Sequence, residues 1–363
     1  MNQTATPTPT LAPVRFDPAV ETEREDEAQT QIELVATLRD MAQTVAEHAG
    51  HAMRAVHAKS HGLLQAELVV PEGLPPAYAQ GLFATPGRHR AAMRLSTPPA
   101  EVLDDRISLP RGMALKVFDV EGERVEGSED QTTQDFLFVD GPVFVAPDAR
   151  GFLRSLKLLA ATTDRAPTGK LLLSGVLQSI EKLIEVAGGS SPKLVALGAH
   201  PLTHPLGATF FTQVPIRFGD HIAKLQLAPV SEALVALEKA ELHLDGKPDG
   251  TREAVMDFLR DHGGEWELRA QLCVDLERMP VEDASVEWPQ ELSPYVTIAR
   301  VLAPPQAGWS AELSREMDDG MAFSPWHALA AHQPLGGVMR ARKAAYAASS
   351  EFRGERNGCP LHR

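Results

Sequence analysis

Eight short apolar runs, each closed off by proline or glycine, set the main constraint on what this chain can become. They are AELVV at 66–70, AAMRLST at 91–97, MALKVFDV at 113–120, DFLFVDGPVFV at 135–145, TFFTQVPIRF at 209–218, AKLQLAP at 223–229, WELRAQLCVDL at 266–276 and YVTIARVLA at 295–303. Runs of this length, rich in β-branched and aromatic residues and separated by turn signals, read as antiparallel strands. Eight strands are enough to close a sheet on itself and remove its edges. The expected class is therefore α+β, an antiparallel β-barrel with surrounding helices.

Helical spacing appears between and around these runs. From Glu25 to about Ala58, Ile32, Val35, Leu38, Met41 and Val45 fall on one stripe. Further helical stretches are Ala149–Thr162, Leu171–Ala187, Glu232–Glu241, Arg252–His262, Trp309–Met317 and Pro334–Arg353. The Thr/Pro/Ala-rich opening cannot support a helix ladder or bury a face, so residues 1–21 are expected to be a flexible arm. Residues 22–363 are expected to form one domain, with the barrel over about 63–305 and the C-terminal helices over about 309–355.

Of the 363 residues, 43% are hydrophobic and 23% charged, which provides for a sizeable core. Thirty-five basic against 49 acidic side chains give a net charge of −14, which disfavours phosphate backbones and anionic lipid as partners. Cys273 and Cys359 are isolated, with no CxxC pair, and fit a reducing compartment. No signal-peptide pattern and no run of 18 apolar residues occurs, so a soluble, cytoplasmic protein is expected.

Three groups of residues could carry chemistry. Tyr346 is one of only three tyrosines and lies in the helical segment PLGGVMRARKAAYAASSEFRGERN. At helical geometry Arg342, Tyr346 and Arg353 project within about 40° of one another. A guanidinium one turn from a phenol favours phenolate, an anionic ligand for ferric iron; the alternative is a solvated face on which the two simply meet water. Second, Arg54, His57, Lys59 and His61 cluster in RAVHAKSHG. The His57–His61 spacing suits zinc on a helix, but the glutamate of HExxH is missing, and either histidine could be structural. Third, Arg94 and Ser96 are two apart on a strand and point to one face. Arg94 there either meets water on the barrel's outside or faces an anion.

Taken together, in order over about residues 50–355, these segments resemble the haem catalase family in a short form. Arg54-Ala-Val-His57 resembles the distal histidine motif, Arg94-Leu-Ser96-Thr97 the strand after it, and Pro110-Arg111-Gly112-Met-Ala-Leu-Lys116-Val-Phe118 the next. DFLFVDGPVFVAPD (135–148) aligns with the strand bearing the distal asparagine, and Arg342-Lys-Ala-Ala-Tyr346 with Arg353 resembles the proximal signature.

The resemblance implies haem b as cofactor, with Tyr346 as axial ligand to its iron and Arg342 holding the phenolate. It implies Arg54, Arg94 and Arg353 as partners of the two propionates, His57 as distal acid/base, and Ser96 as its orienting neighbour. Val56, Phe144 and Phe152 match positions that line or stack on the macrocycle. Two departures stand out. Asp140 falls where the family has its asparagine, and Ala344 stands where phenylalanine is usual. Neither a flavodoxin-like domain nor NADPH binding is expected, and a homodimer is expected over a wrapped tetramer. The implied function is a haem oxidoreductase, catalase or peroxidase, acting on hydrogen peroxide or organic hydroperoxides. Alternatives are a hydroperoxide isomerase or lyase, against which Val56 speaks because that branch carries threonine there, a haem protein with little turnover, and a barrel without haem.

Overall fold

The computed structural model describes residues 11–160 and 202–358. The expected helix Leu171–Ala187 and Cys359 lie outside the described residues. Each apolar run forms strand: β1 Lys59–Val70, β2 Gly87–Thr97, β3 Gly112–Val117, β4 Gln134–Val139, β5 Phe210–Phe211, β6 Ile216–Phe218, β7 His221–Pro229, β8 Gly264–Leu272 and β9 Val296–Ala303. They are hydrogen-bonded in the order β5-β4-β3-β2-β1-β9-β8-β7-β6, and β5 also pairs with β7. That last pairing, Phe210 opposite Leu227, closes eight strands into an antiparallel barrel with β6 as an outer extension of β7.

Several runs are shorter in strand than in apolar character: MALKVFDV ends as strand at Val117 and WELRAQLCVDL at Leu272. DFLFVDGPVFV leaves the sheet after Val139, where Gly141 and Pro142 interrupt the ladder, and TFFTQVPIRF splits around Pro215. The interior of the barrel is apolar: Leu64, Met93, Leu95, Leu115, Phe136, Phe210, Phe218, Leu225, Trp266 and Leu268 belong to one buried cluster. Alternation then sends Ala92, Arg94 and Ser96 to the outer face of β2.

Four main helices flank the barrel: α1 Glu27–Ala49, α2 Ala149–Ala160, α3 Gly250–Asp261 and α4 Gly337–Asn357. α1 stops well short of Ala58 because Gly50 turns left-handed (φ 71°) and its N–H caps the Ala46 carbonyl. Its buried stripe is Leu34, Leu38, Met41 and Val45, while Ile32 faces solvent at 64% exposure, half a turn from where the spacing suggested. Leu34, Leu38, Leu153, Ala341 and Ala345 pack α1, α2 and α4 together. The expected Trp309–Met317 helix is helical from Ala311, with an α-helical turn at Ala311–Leu313 running into a π-helical turn, Ser314–Asp319. Glu232–Glu241 is helical only at Glu232–Val235.

Within the expected arm, residues 11–21 are tied to the barrel. The Val14 N–H donates to the Cys273 carbonyl and the Phe16 N–H to that of Asp220, with Val14, Phe16 and Val20 packed on apolar side chains below. Among the described residues no helix is long and apolar enough to cross a membrane.

Candidate functional site

The candidate site lies on the outer face of the barrel, where β1, β2 and β3 meet the segment 51–58, the π-helical turn and α4. His57 is at a bend in the connection between α1 and β1, not on a helix, so it shares no helix face with His61, which is in β1. The zinc-like spacing therefore has no structural counterpart. His57 adopts φ +56°, a sparsely populated conformation for a non-glycine residue that holds only where the surroundings fix it.

Those surroundings are a cross-strand pair. Ser96 on β2 stands opposite Gly112 on β3, and the imidazole lies over both. Ser96 Oγ is 3.3 Å from His57 Nδ1. A Cβ on Gly112 would come within 2.6 Å of His57 Cε1 and 2.7 Å of Nδ1, so only glycine leaves room for the ring. Burial, together with the positive charges of Arg94 and Arg342, pushes the His57 imidazole down to about 4, which keeps it neutral at ordinary pH.

Arg94 resolves the choice its strand position posed: it lies on the barrel's outer face yet is buried there, and it meets an anion. The anion is Asp318, in the π-helical turn. Arg94 Nε donates to Asp318 Oδ1 at 2.7 Å and Nη2 to the Ala58 carbonyl at 3.2 Å. Arg54 joins the same turn, with Nη1 donating to the Asp318 carbonyl at 2.7 Å and Nη2 to those of Met317 and Met321. Arg353, from α4, donates through Nη1 to the Asp318 carbonyl at 2.7 Å. The second carboxylate oxygen accepts from Ser60 Oγ at 2.7 Å and Ser314 Oγ at 2.8 Å. Burial opposes ionisation of Asp318, but Arg94 and Arg54 outweigh it and hold the carboxyl at about 2.

On α4, Arg342 Nη2 donates to Tyr346 Oη at 2.6 Å and the guanidinium stacks over the ring, 5.1 Å from its centroid. The two sides of the site are linked: the Ala55 N–H donates to Ser349 Oγ on α4 at 3.3 Å, and the charge of Arg342 acts on His57. Phe144 and Phe152 touch each other, ring centroids 5.1 Å apart, and Val56 and Phe152 pack against the α1–α2–α4 cluster. Asp140, just past β4, accepts the Arg111 N–H at 2.8 Å and has its other oxygen 3.9 Å from Arg111 Nε.

Sequence reasoning missed three participants. Gly112 stands in the PRG segment but carries no side chain to draw notice. Arg111 was visible only as part of that segment. Asp318 sits in an acidic, irregular stretch more than two hundred residues from the strand arginine it pairs with. Nothing local marks it.

A closed eight-stranded antiparallel barrel flanked by helices, with this outer-face site, defines a catalase-like fold. Solved structures bear this out. A fungal catalase superposes with a TM-score of 0.59 at 17% identity over 85% of this chain and 61% of that one. Catalase A from Saccharomyces cerevisiae gives 0.59 at 16% identity over 87% and 64%, and a bacterial catalase 0.58 at 15% over 90% and 63%. This chain thus spans less than two thirds of the length of these catalases, and at such identities the likeness is one of fold. No family model matches the sequence, and no curated protein does.

Proposed function

We propose that this chain is a haem-dependent oxidoreductase that turns over hydrogen peroxide or an organic hydroperoxide. The observation that carries the reading is the pairing, across one site, of a neutral imidazole fixed by Ser96 and Gly112 with a phenol bonded to a guanidinium on α4.

The donor set fits haem. Three guanidinium groups converge, a set able to partner a porphyrin's two carboxylates, and Arg353 Nε, buried, has no hydrogen-bond partner among the described residues. Burial and the neighbouring arginines depress Arg54 and Arg353, so further negative charge beside them is favoured. Tyr346 would be the iron ligand, Arg342 would hold its oxygen as phenolate, and Val56, Phe144 and Phe152 would supply apolar walls. Bound haem would supply a ferric iron able to accept two oxidising equivalents from a peroxide.

The rest is work for side chains. With Nδ1–H directed at Ser96 Oγ, His57 Nε2 is left as the basic atom. It takes the proton from one peroxide oxygen and returns it to the other, so that the departing oxygen leaves as water or alcohol. Asp140 can only accept hydrogen bonds when ionised, unlike the amide it replaces, and it is engaged by Arg111. This favours an organic hydroperoxide, or a peroxidase reaction with an external reductant, over rapid disproportionation of hydrogen peroxide.

The test is reconstitution with haem. A high-spin ferric phenolate spectrum is expected, and Tyr346→Phe should abolish it. His57→Ala should keep the haem yet lose about 10²–10⁴-fold in peroxide turnover. Equal turnover in wild type and His57→Ala would end the enzyme reading and leave a haem carrier.

A further inference from the structure

Three arginines from three distant segments are gripped by one π-helical turn. Arg54 comes from the connection before β1, Arg94 from β2 and Arg353 from the last turns of α4. What gathers them is Ser314–Asp319, whose carbonyls at Met317 and Asp318, with that of Met321 just beyond, face the guanidinium groups of Arg54 and Arg353, while its carboxylate takes Arg94. The end of a helical turn is rich in unpaired carbonyls and carries partial negative charge, which suits cations. Serines anchor the carboxylate from behind: Ser60 Oγ and Ser314 Oγ both donate to Oδ2, and Trp309 Nε1 donates to Ser60 Oγ at 3.0 Å. The neighbouring Asp319 turns to His51 at the exposed edge, 2.9 Å away.

The grip is one-sided. Asp318 uses Nε of Arg94, Nη1 of Arg54 and Nη1 of Arg353, while Arg353 Nε has no partner among the described residues. Three guanidinium charges meet the carboxylate of Asp318, with the charge of Asp319 also acting on Arg54 and Arg353, so the basic groups outnumber the acidic ones and leave positive charge for a ligand's carboxylates.

We propose that Asp318 is a positioning residue that assembles Arg54, Arg94 and Arg353 into one receptor for the two carboxylates of a single ligand. The proposal rests on the haem reading, in which those carboxylates are the propionates. Asp318 acts through the arginines. It holds their separation and orientation before the ligand arrives, so that binding costs less reorganisation.

The experiment compares release of haem and of haem dimethyl ester, which has no free carboxylates, from wild type and Asp318→Asn into an excess of a haem scavenger. Wild type is expected to hold haem about tenfold or more longer than the ester, the yield of charge-assisted bonds to the propionates. In Asp318→Asn that ratio should shrink toward one with the ester's release rate unchanged, a pattern that general loosening would not give, since loosening speeds both. Ser60→Ala with Ser314→Ala frees the carboxylate without changing charge. It should lower the ratio part way, and it serves if the asparagine variant does not fold. An unchanged or larger ratio in both variants, with the ferric phenolate spectrum present, overturns the role of Asp318 alone. No such spectrum in wild type overturns the haem reading and this inference together.

Discussion

A Cβ placed on Gly112 would lie 2.6 Å from Cε1 of His57, so the imidazole occupies the volume that any other residue at that position would fill. Gly112→Ala should push the ring off Ser96. In the haem-loaded protein peroxide turnover should fall by about 10²-fold, the lower end of what positioned acid/base catalysis contributes, with haem content unchanged. Steady-state kinetics beside the absorbance of the bound haem checks this. Full activity in the alanine variant would show that the ring's position is not set by this contact.

Arg342 Nη2 sits 2.6 Å from Tyr346 Oη. Hydrogen bonds from a charged donor contribute about 1.5–3 kcal/mol, and this one acts on the oxygen proposed to bind iron. Arg342→Gln should shift the ferric phenolate absorption and speed haem release. Arg342→Lys should restore little, since a lysine lacks the planar fork that both stacks on the ring and reaches the oxygen. Indistinguishable spectra in all three proteins would remove Arg342 from the proximal side.

The Arg94–Asp318 pair joins β2 to the turn before the C-terminal segment with both side chains largely out of water. Removing Arg94 takes from the buried carboxylate its closest cation and leaves Arg54 Nη1 at 3.4 Å. Arg94→Leu should therefore cost about 3–5 kcal/mol of stability. The double variant Arg94→Leu with Asp318→Leu should recover part of that, because both charges of this pair are gone while Arg54 and Arg353 keep their carbonyl partners in the turn. Urea unfolding of the ligand-free proteins measures both, and simple additivity of the two single effects would argue against a coupled pair.

Acid should destabilise the fold in a defined window. Burial pushes His57 and His204 down to about 4 and His332 to about 3, from an ordinary 6.5. His332 is wedged among Phe83, Phe136 and Phe218, and its Nε2 accepts the Leu82 N–H. The unfolded chain binds protons on these three rings below about pH 6.5 while the folded chain does not. Stability is thus undiminished above that pH and declines as pH falls from 6.5 toward 3, with proton uptake on unfolding. Asp318 adds to the loss further down, as pH drops from 3.8 toward 2. Denaturation midpoints should hold level from pH 7.5 to about 6.5 and fall from there to pH 4, and a flat profile throughout would contradict the buried, neutral state of these histidines.

Much of the architecture was legible because it rests on local signals. The run AKLQLAP and the first seven residues of WELRAQLCVDL carry period-two alternation and pair with each other residue for residue. The last helix carries Arg342 and Tyr346 one turn apart, and helical geometry alone brings them together. The end of α1 was misplaced because the apolar spacing continues past Gly50, and a single left-handed residue outweighs it. Phe144 and Phe152 meet only because the chain leaves β4 early and turns back into α2, which alternation does not foretell.

The sequence by itself determined that the chain holds enough strands to close a barrel, that the barrel's interior is apolar and which residue types stand at the proposed site, since periodicity and side-chain chemistry are properties of neighbours along the chain. Only the tertiary structure decided that Arg94 faces out and is still buried, that Asp318 is its partner, and that Gly112 makes room for His57. Those relationships join residues 55 to 224 positions apart, whose meeting depends on how strands register and helices dock, and no local pattern encodes that.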